Sequence, residues 1–251
     1  MILEEFRLHG KIALVTGGTK GLGRGIAIAL AEAGADIAVV SRYPNNEMER
    51  EILALGRRYF HSPADLTVRE QTRKVIPTIV KAMGDIHILV NNSGTLRSAP
   101  ALDYSEEDWD TTLEIDLTAP FLLSQAAGRI MLKKGKGKII NIASILSFQG
   151  GSNVAYAAAK HGVVGLTKTL AYNWAGRGIN VNAIAPGWFI TDFNASIRKD
   201  TVRFDGITKR IPAGRWGTFK DIAGAAVFLA SSASNFVHGE ILTVAGGWMT
   251  G

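Results

Sequence analysis

Cysteine is absent from all 251 residues. That removes disulfide staples, thiolate nucleophiles and Cys-bearing zinc sites, and it agrees with a reducing cytosol. Long apolar runs are missing too: Ile86–Val90 and Ile139–Ile142 fall far short of the roughly 20 residues that cross a bilayer. The opening MILEEFRLHG places Glu4 and Glu5 where an export signal carries basic residues followed by a long apolar stretch. A soluble, cytoplasmic protein with no membrane partner is expected. Nor is there a strong charge of one sign, since 28 Lys+Arg against 22 Asp+Glu leave a net charge of +6. The obvious basic cluster, Lys133, Lys134, Lys136 and Lys138 interleaved with Gly135 and Gly137, reads as a solvated connection, so no nucleic-acid partner is expected. The five histidines are scattered without metal-ligand spacing, and no internal repeat or linker interrupts the chain.

Hydrophobic residues make up 47% and charged residues 20%, a balance suited to one packed interior spanning residues 1–251. Short apolar, β-branched runs alternate with helical stretches, the rhythm of parallel strands joined by crossover helices. Seven strands are predicted: Lys11–Thr16, Asp36–Val40, Tyr59–Pro63, Ile86–Asn91, Lys138–Ile142, Asn180–Ala185 and Ile241–Val244. Several are apolar on nearly every residue, as when helices cover both sheet faces. Helices are predicted over Leu22–Ala33, Val68–Met83, Trp109–Met131, Val154–Ala175 and Asp221–Ala230, with a kink or bulge at Pro77. Residues 190–214 lose the clean period and are a candidate mobile lid, an ordinary surface excursion being the alternative.

The strand ending at Thr16 runs into Gly17, Gly18, Thr19, Lys20, Gly21, Leu22 and Gly23, and then into an apolar helix. Glycines permit the tight turn and let backbone amides approach a pyrophosphate, while a helix N-terminus offers free N–H groups and a positive dipole end. The Gly-x-x-x-Gly-x-Gly spacing is one residue off the commonest dinucleotide fingerprint, but its strand and helix context fits. The second strand ends at Ser41-Arg42, without the carboxylate that an NAD-selective site places against the ribose hydroxyls. Arg42, with Lys20, suits a 2′-phosphate, which favours NADP(H); if both are solvated cations, NAD(H) stays open.

Tyr156 and Lys160 stand four residues apart on a predicted helix and so face the same way. A free phenol, with a pKa near 10, is a poor acid–base group at neutral pH, and an adjacent ammonium favours its ionised form. The pair is therefore a candidate proton carrier and its tuner.

Thr16-Gly17-x-x-x-Gly21-x-Gly23, Asn91-Asn92-Ser93-Gly94, Ser144, Tyr156-x-x-x-Lys160 and Pro186-Gly187 recur in an order that resembles the short-chain dehydrogenase/reductase family. The resemblance spans essentially the whole chain and implies a doubly wound α/β fold of Rossmann type, a parallel seven-stranded sheet with helices on both faces. It implies that Tyr156 is the general acid/base, that Ser144 holds the substrate oxygen, and that Lys160 tunes Tyr156 and binds the nicotinamide ribose. It further places Asp65 and Leu66 at the adenine, Asn92, Ser93 and Gly94 beside the adenosine ribose, and Pro186, Gly187, Phe189 and Thr191 around the nicotinamide. A homotetramer is implied as well, with the fourth and fifth helices and the C-terminal segment at subunit contacts.

The chain departs from the family pattern in three places. Asp116 stands where the family usually has Asn, which puts a carboxylate near the expected proton relay. Ser144 precedes Tyr156 by twelve residues, where thirteen is common, and Ala245 replaces a usual Asp. Within the family, Ile139–Gly151, Arg210–Gly217 and Phe228–Ser234 are similar to a branch acting on sugar acids, the 2-dehydro-3-deoxy-gluconate 5-dehydrogenases (2-deoxy-gluconate 3-dehydrogenases) and gluconate 5-dehydrogenases. Arg97 is a candidate partner for a substrate carboxylate, and Gln149 and Trp188 are candidates for the pocket wall; each has a structural alternative. Reduction of 3-oxoacyl carrier-protein or of general carbonyl substrates remains the alternative activity, and a non-catalytic cofactor-binding sensor the alternative of another kind.

Overall fold

The computed structural model describes residues 1–250. The buried, apolar strand β1 (Ile12–Thr16) leads through the glycine turn into α1 (Gly21–Glu32). Then come β2 (Asp36–Ser41), α2 (Asn46–Ala54), β3 (Tyr59–Pro63), α3 (Arg69–Met83) and β4 (Ile88–Asn91). The second half holds α4 (Glu106–Leu113), α5 (Ala119–Lys134), β5 (Gly137–Ile142), α6 (Val154–Trp174) and β6 (Ile179–Pro186). It closes with α7 (Ala195–Lys199), α8 (Thr201–Arg210), α9 (Phe219–Ala230) and β7 (Ile241–Val244).

All seven strands are parallel, in the order β3-β2-β1-β4-β5-β6-β7. Ala13 of β1 lies between Ile37 of β2 and Ile88 of β4, so the strand order reverses beside β1. One apolar layer, from α1, α2 and α9, buries Ile26, Leu30, Met48, Ile52 and Ile222 against one sheet face. The other, from α3, α5 and α6, buries Val75, Ile79, Leu123, Met131 and Ala171 against the opposite face. This is the expected doubly wound, Rossmann-type sheet, covered on both faces as the unbroken apolar strands require. Because the strands are parallel, Thr16, Ser41, Asn91, Ile142 and Pro186 all end at one sheet edge, and the crevice at the reversal point opens there. Among the described residues, no helix is long and apolar enough to cross a membrane.

Besides α2, which the sequence did not lead one to expect, the elements differ from the sequence expectation in three respects. The single helix expected over Trp109–Met131 is two helices joined by a π turn at Glu114–Thr118. Pro120 explains the widening, because a proline ring in a regular α-helix would strike the carbonyl four residues back, at Asp116. At the other proline of interest, α3 runs unbroken through Pro77, which sits on the exposed face where water can satisfy the backbone group left free. The stretch expected to be irregular, 190–214, contains α7 and α8. They are pinned by a small cluster of Ile197, Ile211, Trp216 and Trp248, with Phe204 stacked on Trp216 at 4.9 Å.

Candidate active site

The glycine turn is shaped by close approach. Gly17 and Gly21 take φ of 62° and 54°, the left-handed region that glycine adopts without strain. A Cβ on Gly23 would collide with the carbonyl of Gly17 and the side-chain amide of Asn92. No side chain caps α1 at Lys20, so the first-turn N–H groups of Gly21, Leu22 and Gly23 have no helical acceptor and point out of the sheet edge. Thr16 braces the turn from beneath: its hydroxyl accepts from the N–H groups of Asn92 and Ser93, both at 2.9 Å, and Asn92 Nδ2 donates to the Thr16 carbonyl at 2.8 Å. Asn45 braces it from the side, capping α2 at Met48 and donating to the Thr19 carbonyl at 2.9 Å. Such a backbone cradle at a positive helix end fits a pyrophosphate.

At the end of β2 the Ser41 hydroxyl donates to the Tyr43 carbonyl at 2.6 Å, and Arg42 is exposed beyond it. Just past the end of the neighbouring β3, burial pulls the Asp65 carboxyl upward. The Thr67 N–H (3.0 Å) and hydroxyl (2.7 Å), together with the Arg42 charge, bring it below the ordinary value instead. Leu66 is buried next to it. The rim thus carries a cation, with no carboxylate at the β2 end itself.

The chemical centre is built where α6 passes the end of β5. Asn153 caps α6 by accepting from the Tyr156 N–H at 2.9 Å, so the helix begins two residues before Tyr156, and Lys160 follows one turn later. The Lys160 ammonium lies 5.3 Å from the Tyr156 ring centroid and donates to the Ile142 carbonyl at 2.9 Å. It also pairs with Asp116 at 3.0 Å, and both side chains are buried, 5% and 0% exposed. The other Asp116 oxygen accepts from the Thr95 N–H at 2.9 Å. Ser144 caps the turn Ile145–Ser147, and Ser147 Oγ in turn donates to the Lys160 carbonyl at 2.8 Å. The short Ser144–Tyr156 connection is therefore closed onto the Lys160 backbone, with the Ser144 hydroxyl bearing on Tyr156.

The electrostatics differ from what the Tyr/Lys pair alone implies. Burial would lower the Lys160 pKa, but the Asp116 carboxylate and Tyr156 hold it above the ordinary value. For Tyr156, burial pushes the phenol up; Lys160 and the Ser144 hydroxyl pull it down, while Asp116 pushes it up again, and the balance is upward. The help expected from Lys160 is present, but it is outweighed.

The segment 190–214 starts at this centre. Thr191 lies 3.9 Å from the position of a Cβ on Gly21, so it faces the glycine turn, and the Phe193 ring sits 6.0 Å from that of Tyr156. Pro186 and Phe189 are buried below, and Gly187 is packed so closely on Ala245 that a Cβ there would come within 2.8 Å of its Cα. Trp188 stands 5.2 Å from Trp216 and 5.9 Å from Trp248, and its buried Nε1 has no protein partner. Gln149 lies in the loop between Ser144 and α6. Arg97 is exposed, with a loose 3.7 Å contact to Asp108, but its carbonyl accepts from Asn153 Nδ2 and from Tyr104 at 3.0 Å, which ties this loop to the start of α6. Ser144, Tyr156, Lys160 and the glycine turn thus share one sheet edge, whereas the Arg97 guanidinium is turned to Asp108 and Gln149 sits in the loop after Ser144.

Sequence reasoning missed Phe193, Asn45 and the bracing role of the Thr16 hydroxyl. An Asn-x-x-Met cap signal marks Asn45, but α2 buries only Met48 and Ile52 and so shows little apolar period.

Residues 17–249 match the model of a family described as enoyl-(acyl carrier protein) reductase. The chain is 47% identical to the 2-dehydro-3-deoxy-D-gluconate 5-dehydrogenase of Escherichia coli over 251 residues, 99% of each chain. It is 49% identical to the enzyme of the same name from Bacillus subtilis over 249 residues, 98% of each chain. Among solved structures, a gluconate 5-dehydrogenase from Burkholderia cenocepacia in complex with NADP and tartrate superposes with a TM-score of 0.94 at 40% identity, covering 100% of both chains.

Proposed function

This chain belongs to the short-chain dehydrogenase/reductase family, and from that premise we propose an NAD(P)-dependent oxidoreductase that interconverts a secondary alcohol of a sugar acid, of 2-deoxy-gluconate or gluconate type, with its ketone. The observation that carries this reading is the convergence of Ser144, Tyr156 and Lys160 at the sheet edge that also bears the glycine turn. When bound, the nicotinamide cofactor supplies or accepts the hydride. In the direction of ketone reduction the Tyr156 hydroxyl gives its proton to the carbonyl oxygen; in the direction of oxidation it takes the proton from the alcohol. Ser144 donates to that same oxygen and holds it at Tyr156. Lys160 keeps a positive charge beside the ring and offers its ammonium to the ribose. Phe193, lying against Tyr156, shields the transfer from water, which is the role assigned to the 190–214 lid.

For the cofactor, Gly17, Thr19, Gly21, Leu22 and Gly23 would hold the pyrophosphate, Asp65 and Leu66 the adenine, and Asn92, Ser93 and Gly94 the adenosine ribose. Pro186, Gly187, Phe189 and Thr191 would border the nicotinamide. Arg42 and Lys20 at the rim, with Ser41 beside them, favour NADP(H) over NAD(H). Arg42→Ala is expected to weaken NADPH binding about tenfold to a hundredfold, the worth of a charge-assisted hydrogen bond, while leaving NADH nearly unchanged. Calorimetric titration of both cofactors checks this, and equal loss for both would remove the basis for the preference.

Arg97 supplies the carboxylate selectivity, with Gln149 and Trp188 toward the pocket wall. Initial rates with sugar acids, neutral polyols and 3-oxoacyl thioesters test the substrate class; preference for the thioesters would replace it with acyl-ketone reduction. The assembly proposed is a homotetramer in the cytoplasm, consistent with Trp109 on α4, Phe121 on α5 and Tyr172 on α6 exposing apolar surface. Sedimentation velocity reads the assembly directly.

A further inference from the structure

Asp116 stands out among the buried ionisable groups because the proton transfer described above does not require it. It is wholly buried in the π turn between α4 and α5, held by the Thr95 N–H at 2.9 Å and paired with Lys160 at 3.0 Å. The close fit at Gly94, where a Cβ would come within 2.6 Å of Asp116 Oδ1, leaves this carboxylate little freedom to turn away.

We propose that Asp116 is a positioning residue that neutralises the charge of Lys160 at Tyr156 and thereby holds the phenol protonated through the neutral range, placing the alkaline limb of the enzyme's pH profile at high pH. The inference rests on the reading of Tyr156 as the proton carrier. A buried ammonium beside a phenol favours phenolate; a carboxylate in contact with that ammonium cancels most of its field a few ångströms away, where the low dielectric would otherwise make it strong. No other charge stands in for either partner. Burial pushes the Asp116 carboxyl up, and what opposes it is the Lys160 ammonium from α6 and the Thr95 amide from the β4–α4 connection. On the π turn itself, Glu114 is turned to Arg69, 2.8 Å away. Among the described residues, the charged side chains that act on Tyr156 are Lys160 and Asp116.

The reaction then divides by pH. Reduction draws on the protonated phenol and stays level through neutrality, whereas oxidation draws on the phenolate and climbs toward alkaline pH. The overall equilibrium is untouched; what Asp116 sets is where on the pH scale the two limbs meet.

The test reads Tyr156 in the protein without cofactor or substrate. The tyrosinate absorbance of the protein minus that of Tyr156→Phe, followed across pH, gives the titration of this one phenol. The expected midpoint lies above the ordinary value of about 10. In Asp116→Asn it should fall by about one to two pH units, the effect of an unopposed neighbouring charge. The oxidation profile should move with it. In Asp116→Asn combined with Lys160→Met, which restores zero net charge, the midpoint should return toward that of the parent. An unchanged midpoint in Asp116→Asn would overturn the proposal, as would a parent midpoint well below 10 should that variant not fold. Because the titration needs no turnover, a protein inactive on sugar acids would still report on Asp116. An active protein without the shift would lose only this inference.

Discussion

Replacing Tyr156 by Phe should remove nearly all hydride transfer, a loss of about 10²–10⁴-fold in kcat, while cofactor affinity stays close to that of the parent. The substitution deletes one hydroxyl and keeps the ring that packs against Phe193 and under the Lys160 ammonium. The backbone N–H of Tyr156 that Asn153 accepts is untouched, so the start of α6 stays in place. The glycine turn lies on β1 and α1 and contributes nothing to that hydroxyl. Stopped-flow turnover beside calorimetric NADPH binding separates the two effects. Turnover near the parent rate would remove Tyr156 from the reaction, and a parallel loss of binding would mean that the phenol serves the cofactor site.

Lys160→Met should be the most destabilising single change at the site, costing about 3–5 kcal/mol of folding stability at neutral pH along with the activity. Met matches the apolar stem of the lysine, but it leaves Asp116, 0% exposed, with the Thr95 amide as its remaining partner. Burial already raises the Asp116 carboxyl, and without the Lys160 ammonium to oppose it the folded pKa rises further above the unfolded value near 4, so the group takes up a proton on folding. A raised carboxyl pKa destabilises the folded state most at pH above that folded value. The penalty shrinks as pH falls toward the unfolded pKa, where the group is protonated in both states. Urea unfolding of Lys160→Met should therefore show a smaller deficit at mildly acidic pH than at neutrality, and adding Asp116→Asn should recover much of the loss. A deficit independent of pH and of Asp116 would place its origin in packing alone.

The strands were the most legible part of the fold. All seven lie within two residues of the expected boundaries, because short apolar runs rich in β-branched residues, such as those in IALVT and DIAVVS, suit a sheet buried on both faces. The missed helices are those whose sequence shows little apolar face. Helix α2 buries two side chains, and α8, with Gly206 in its middle, buries none. They form because neighbours hold them: Arg24 of α1 pairs with Glu51 of α2 at 2.7 Å, and Trp216 donates to Thr208 of α8 at 2.9 Å.

At the site, the glycine turn and the Tyr156/Lys160 pair could be read because their spacing is local. The resemblance set Asp116 near the proton relay, but the electrostatic balance could not be read, since it depends on Asp116 coming within 3.0 Å of a residue that lies 44 positions later in the chain. Pro120 was visible throughout, but its effect on the helix, a π turn that carries Asp116, emerges only from the three-dimensional arrangement.

The most direct test of the central claim follows the transferred atom. Protein is incubated with NADPH deuterated at the transferring position of the nicotinamide and with the keto form of a deoxy-gluconate or gluconate, and the product is weighed by mass spectrometry. One deuterium on the newly formed carbinol carbon is the predicted result, lost in Tyr156→Phe. An unlabelled ketone recovered intact, from protein shown to bind the cofactor, would contradict hydride transfer to a sugar acid and leave a cofactor-binding protein of another kind.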